Sequence, residues 1–144
     1  MAQDGLRVRA SAGAASFRRR PTLERGLQEA QTQVQRLRDE GASDPGVASR
    51  QQQKARERAA REREERIRKA LLLLPEMEAK KADDKEKARV STTDPEATVM
   101  KMADGGLRPA YNVQFGTDTA SQIIVGIEVA TCGSDQGQMA PMVE

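Results

Sequence analysis

A chain of 144 residues with a formal net charge of +2 has room for one ordinary domain, but 2% aromatic residues and an apolar content rich in alanine leave only a small core. The absence of histidine excludes His-based catalytic triads and His metal ligands, and Cys132, alone of its kind, excludes an internal disulfide and fits a reducing compartment. No apolar run approaches the ~20 residues of a membrane span, and the first twenty residues lack the apolar centre of a secretory signal, so a cytoplasmic location is expected.

Residues 1–10 alternate Leu6, Val8 and Ala10 with Arg7 and Arg9, the pattern of a short strand with one polar face. The next segment, 11–21, is small, polar and basic and reads as a loop that Phe17 anchors. Asp4 is the only acid in the first twenty residues, against Arg7, Arg9, Arg18, Arg19 and Arg20. A basic segment of this kind favours a polyanion, and these five arginines are candidate DNA contacts.

From Thr22, which suits an N-cap, the period becomes helical. Leu23, Leu27, Ala30, Val34 and Leu37 follow at alternating spacings of four and three, a coiled-coil-like seam ending near Glu40. Gly41, Ser43, Asp44, Pro45 and Gly46 mark a break. A second helix is expected from Ser49, with nine basic side chains against four glutamates between positions 50 and 69. Its weak apolar side comprises Ala55, Ala59, Ile67, Ala70, Leu71 and Leu74, and Pro75 is expected to kink or end it. A further charged helical piece is expected up to Lys87, and the whole reads as an antiparallel helical hairpin. The glutamates suit i,i+4 pairing with arginines, the mark of a solvated face; contact with phosphate is the other reading.

Residues 90–95 read as a loop, 98–102 as a short strand, and Ala103-Asp104-Gly105-Gly106 as a turn. The stretch 108–131 is the strongest strand signal. Tyr111, Val113 and Phe115 alternate with Ala110, Asn112 and Gln114, and Ile123, Val125, Ile127 and Val129 repeat the period in a second strand. Thr117, Asp118, Thr119, Ala120 and Ser121 join them, with Asp118 as the turn-stabilising residue. A lone hairpin is marginal in water, and the strand at residues 1–10 is its natural third member. Gly133-Ser134-Asp135 looks like the entrance to a further helix that continues to Glu144. The expected class is therefore α+β, three antiparallel strands with a helical hairpin inserted after the first.

Asp4-Gly5 reads locally as a turn dipeptide, or as a carboxylate on a sheet edge able to help hold a divalent cation. The run from Asp4 to Arg20, together with the motifs TTDPEA, GGLRPAYNVQ and GSDQGQMAPM, closely resembles DDE transposases of bacterial insertion sequences. The resemblance covers nearly the whole chain and implies an incomplete RNase-H-like core. Residues 1–20 would be its first strand and basic loop, 22–88 a helical insertion, 96–131 its second and third strands, and 132–144 the start of the next helix. It implies Asp4 as the first catalytic and metal-binding aspartate, magnesium or manganese as cofactor in the complete enzyme, and transposon-end DNA as partner. The family's second aspartate and its glutamate have no counterpart in this sequence, so an inactive internal fragment is expected. A coiled-coil protein that self-associates through its helices and a basic nucleic-acid-binding module are the alternatives; the latter lacks the aromatics used for base stacking.

Overall fold

The computed structural model describes residues 2–43, 47–81 and 83–134, and the protein is α+β. It folds as two units, Met1–Ala14 with Glu96–Glu144, and Ala15–Pro95.

The first unit is an antiparallel sheet built on one long strand. Strand β1 spans Ala2–Arg9, and three later strands, β4 (Thr98–Lys101), β5 (Leu107–Thr117) and β6 (Ile124–Ala130), complete it. β5 carries β1 along one edge, from Ala110 to Thr117. Its other edge takes β4 opposite residues 107–110 and β6 opposite residues 112–117. The expected pairing of the opening strand with the hairpin is thus present, and the short strand read at residues 98–102 joins the same sheet as its fourth member, beyond the three of the expected core. The β4–β5 turn places Gly105 at φ +82°, where a side chain would be strained.

The two faces of this sheet reverse the expectation from the alternating pattern. Leu6 lies opposite Val113, which lies opposite Val129, and Val8 lies opposite Tyr111. This apolar face is the open one: Leu6 is 57% exposed, Val129 58% and Ile127 65%. Ala110, Asn112, Gln114 and Gly116 are the buried residues of β5. Hydrogen bonds account for part of the inversion. Gln3 Nε2 donates to Gln114 Oε1 at 2.8 Å, and Arg7 donates to the carbonyls of Lys101 at 2.6 Å and Gly133 at 2.7 Å. Gly133 also approaches Met100, so the chain leaving β6 returns along this polar side. A buried amide is tolerated where it finds such partners.

The second unit is the helical hairpin. Strand β2 (Phe17–Arg18) leads into α1 (Arg20–Ser43), then α2 (Val47–Lys80), and β3 (Val90–Ser91) pairs back with β2. Residues 90–95 therefore contain a strand where a loop was expected, held by Ser16 and Ser91 hydroxyls 2.7 Å apart and by Thr92 N donating to Ser16 O at 3.1 Å. Leu23, Ala30, Val34 and Leu37 are buried as the α1 periodicity predicts. They meet α2 in antiparallel order, since Gln53 reaches Leu37, Arg63 reaches Gln33 and Arg20 reaches Glu78.

Several boundaries differ. α1 starts two residues before Thr22, which is therefore not its cap, and it runs through Gly41. At Gly41 the side chain of Gln53 fills the place of a Cβ, and its amide donates to Leu37 O at 3.2 Å. Of the two outcomes expected at Pro75, a kink or an end, the helix does not end there, since α2 runs on to Lys80; Pro75 is exposed, and Leu74 before it is fully buried. The α2 face is also rotated from the expected one: Ala60 is buried, whereas Ala55 and Ala59 are exposed. Gln53, Glu57 and Glu64 are the half-buried neighbours of that seam. Beyond α2 the expected helical piece is a single 3-10 turn, Lys85–Lys87. The break at residues 44–46 and the expected helix at residues 135–144 lie outside the described residues.

Leu74 is the centre of the hairpin core, packed with Leu23, Ile67, Ala70 and Val90. Leu74→Ala is expected to lower the unfolding free energy of this unit by about 2–5 kcal/mol, through lost transfer energy and a residual cavity. Urea unfolding followed by far-UV circular dichroism checks it; a change below about 1 kcal/mol would contradict this account of the core.

Candidate functional site

Asp4 lies on β1 directly opposite Phe115, and Phe115 lies opposite Ile127 on β6. Its carboxylate is exposed, and Oδ1 accepts a hydrogen bond from the amide of Gly5 at 2.9 Å. The strand parity that aligns Asp4 with Leu6 and Val8 holds, so the acid stands on the open apolar face. Among the described residues no group of three or more acidic or cysteine side chains is arranged to hold a metal ion. Asp4 is the acid that β1 brings to the sheet. β1 has β5 on one side and no strand on its other side among the described residues.

Two other acids of the sheet unit, Asp104 and Asp118, stabilise turns, while Glu128 stands on β6 opposite Gln114. Asp118 Oδ2 accepts from Ser121 N at 2.9 Å and from the Ser121 hydroxyl, and these bonds hold its carboxyl below the ordinary 3.8. Asp104 is held low first by Arg108 and then by the Gly106 amide. Cys132 is an exposed free thiol whose sulfur lies 3.4 Å from Ser134 O.

The five arginines singled out from the sequence have different tasks. Arg7 is half-buried and satisfies two carbonyls, a structural use of its fork. Arg9 is exposed on the same strand. Arg18 and Arg19 are exposed at the start of the hairpin unit. Arg20 is bidentate to Glu78, with Nε to Oε1 at 2.9 Å and Nη2 to Oε2 at 2.7 Å, and so clamps the first turn of α1 to the last part of α2. Its charge is paired with a carboxylate of the same unit.

On α2, pairing with glutamates is partial. Arg58 pairs with Glu62 at 3.8 Å, Arg61 with Glu57, and Arg68 with Glu64, as the solvated-face reading expects. Arg38 of α1 also reaches Glu57, at 3.6 Å. The seam of α1 is enclosed against α2, with Leu23 1% and Leu37 6% exposed. No helix among the described residues is long and apolar enough to cross a membrane.

Comparison with protein-family profiles, curated proteins and solved structures finds no match to this chain.

Arg20 holds the Glu78 carboxyl below its ordinary value of 4.5, chiefly by hydrogen bonding. A carboxyl depressed in the folded state contributes stability above its unfolded value and loses it as pH falls through the folded value. Melting temperature is therefore expected to drop more steeply below about pH 4.5 in the wild type than in Glu78→Gln. Parallel pH–melting curves for the two proteins would contradict the clamp.

Proposed function

We propose that this chain is part of the catalytic core of a DDE transposase of the bacterial insertion-sequence type, with an RNase-H-like sheet interrupted by a helical insertion. The strand pattern is the observation that supports the reading. An Asp-Gly strand at the amino end pairs antiparallel with a long second strand, a third strand lies beyond it, and the helices interrupt the sequence between first and second. β1 keeps one edge without a strand among the described residues, and that edge suits a further strand of the same sheet.

In such an enzyme three carboxylates hold a pair of magnesium or manganese ions. The metals activate water, and then a DNA 3′-hydroxyl, for in-line attack on phosphodiesters. Asp4 stands on the first strand, at the position that the motif assigns to the first of these acids. Its exposure and its single local hydrogen bond leave oxygen lone pairs open to a cation. Asp4 supplies one of the three carboxylates of such a centre, and in this reading one carboxylate does not hold two cations. DNA is the partner of the assembled enzyme.

Two measurements test this. The purified chain is expected to leave supercoiled plasmid intact in manganese, and nicking that Asp4→Asn abolishes would contradict the inactive-fragment reading. Genomic DNA around the frame is expected to encode a further strand with an aspartate and a later helix with a glutamate, between terminal inverted repeats. Flanks without these would overturn the family reading.

A further inference from the structure

The arginines of α2 that find no glutamate share one side of the helix. Arg56, Arg63 and Arg66 have no carboxylate partner among the described residues; Arg63 makes one 3.4 Å contact with Gln33 Oε1. The three stand beside the buried seam on one flank, while Glu57 and Glu64, with the arginines they bind, stand on the other. A cavity of about 510 Å³ between the helices joins Arg63 and Arg66 to Arg18 of β2 and to the side chain of Thr22. A second of about 530 Å³ continues past Arg56 toward Arg36 of α1. Two acids, Glu29 and Glu40, line these cavities, and each is paired with the arginine four residues before it.

The result is a groove between two antiparallel helices in which positive charge repeats along a rigid rod. Arg56 to Arg66 spans roughly 15 Å at 1.5 Å per residue, and Arg18 extends the row at one end. We infer that this groove is a docking site for the phosphodiester backbone of a nucleic-acid duplex, read without base specificity.

Three features choose this occupant. The charges repeat over a length that a single phosphate group would leave mostly unused, whereas a duplex presents a charge about every 1.7 Å of its axis. Guanidinium forks suit phosphate oxygens, and the row carries no aromatic side chain that would stack on bases. A membrane surface is a poor fit, because among the exposed large hydrophobics of the described residues only Leu72 belongs to this unit and neither of these two cavities includes it. The inference stands on the hairpin alone and is independent of any role of Asp4.

The test is fluorescence anisotropy of a labelled duplex of about 30 base pairs with the full chain, titrated between about 50 and 200 mM salt. Replacing Arg56, Arg63 and Arg66 together by Gln is expected to raise Kd by about tenfold or more and to flatten the log–log salt slope by about three. Replacing Arg58, Arg61 and Arg68 together by Gln removes the same charge from glutamate-paired positions and is expected to change Kd by less than about threefold. Equal losses in the two triple variants, or absence of duplex binding by the wild type at low salt, would overturn the proposal. Binding of poly-glutamate through the same three arginines in preference to the duplex would also overturn it. If the first triple variant loses helicity, the singles Arg56→Gln, Arg63→Gln and Arg66→Gln replace it. Each is then expected to flatten the slope by about one, and unchanged slopes would refute the assignment.

Discussion

Every strand of the sheet unit hydrogen-bonds to β5, and the unit depends on that one strand having the length to serve both edges. Eleven residues allow β1 to run along one side while β4 and β6 share the other end to end. The same arrangement decides which side chains stand together. Because β1 is antiparallel to β5, Asp4 comes opposite Phe115 and Arg7 opposite Asn112, so acid and base leave the sheet on different faces. A slip of one residue would exchange those faces. The hydrogen bonds of Arg7 to Lys101 and Gly133 work against such a slip, because they exist only when Arg7 is on the polar side.

The hairpin unit has a different constraint, a seam too poor in large apolar residues to hold two helices by burial alone. Ala30, Ala60 and Ala70 are among its buried positions, so the helices approach closely but each contact buries little area. Polar clamps supplement it. Arg20 and Glu78 close one end, Gln53 caps the carbonyl of Leu37 near the other, and the β2–β3 ladder ties the chain where it enters and leaves. With Glu57 and Glu64 on one flank, α2 presents on the other Arg56, Arg63 and Arg66, which have no carboxylate partner among the described residues. Charge separation across a seam of this kind gives the hairpin a positive groove, although the formal charge of the whole chain is small.

Much of this organisation was legible in the residues. The four-and-three spacing from Leu23 to Leu37 specified the buried stripe of α1, since a helix has only one way to face such a stripe inward. Alternation in residues 1–10 and 110–130 specified strands, and Asp118 before Ser121 specified the turn between the last two. What misled was a rule with a silent premise. Alternation reports two faces of unlike polarity but not which one is covered, and here Asn112 and Gln114 are buried while Leu6 and Ile127 are open. The face of α2 was illegible for a related reason: with alanines at 55, 59 and 60 and few large apolar residues, periodicity hardly separates adjacent registers. The short β2–β3 ladder escaped because two-residue strands have no period to detect.

Sequence by itself determined the class of the fold, the order of its longer helices and strands, the seam of α1 and the presence of a single acid at the amino end. Those are local properties, set by spacing, propensity and turn chemistry. Only the tertiary structure decided which arginines keep their charge available and which face of the sheet is enclosed. Arg20 and Arg63 look alike in a basic helical sequence; one meets Glu78 from 58 residues away and the other, among the described residues, meets an amide. Such partners are chosen by the packing of distant segments, so no pattern read along the chain contains them.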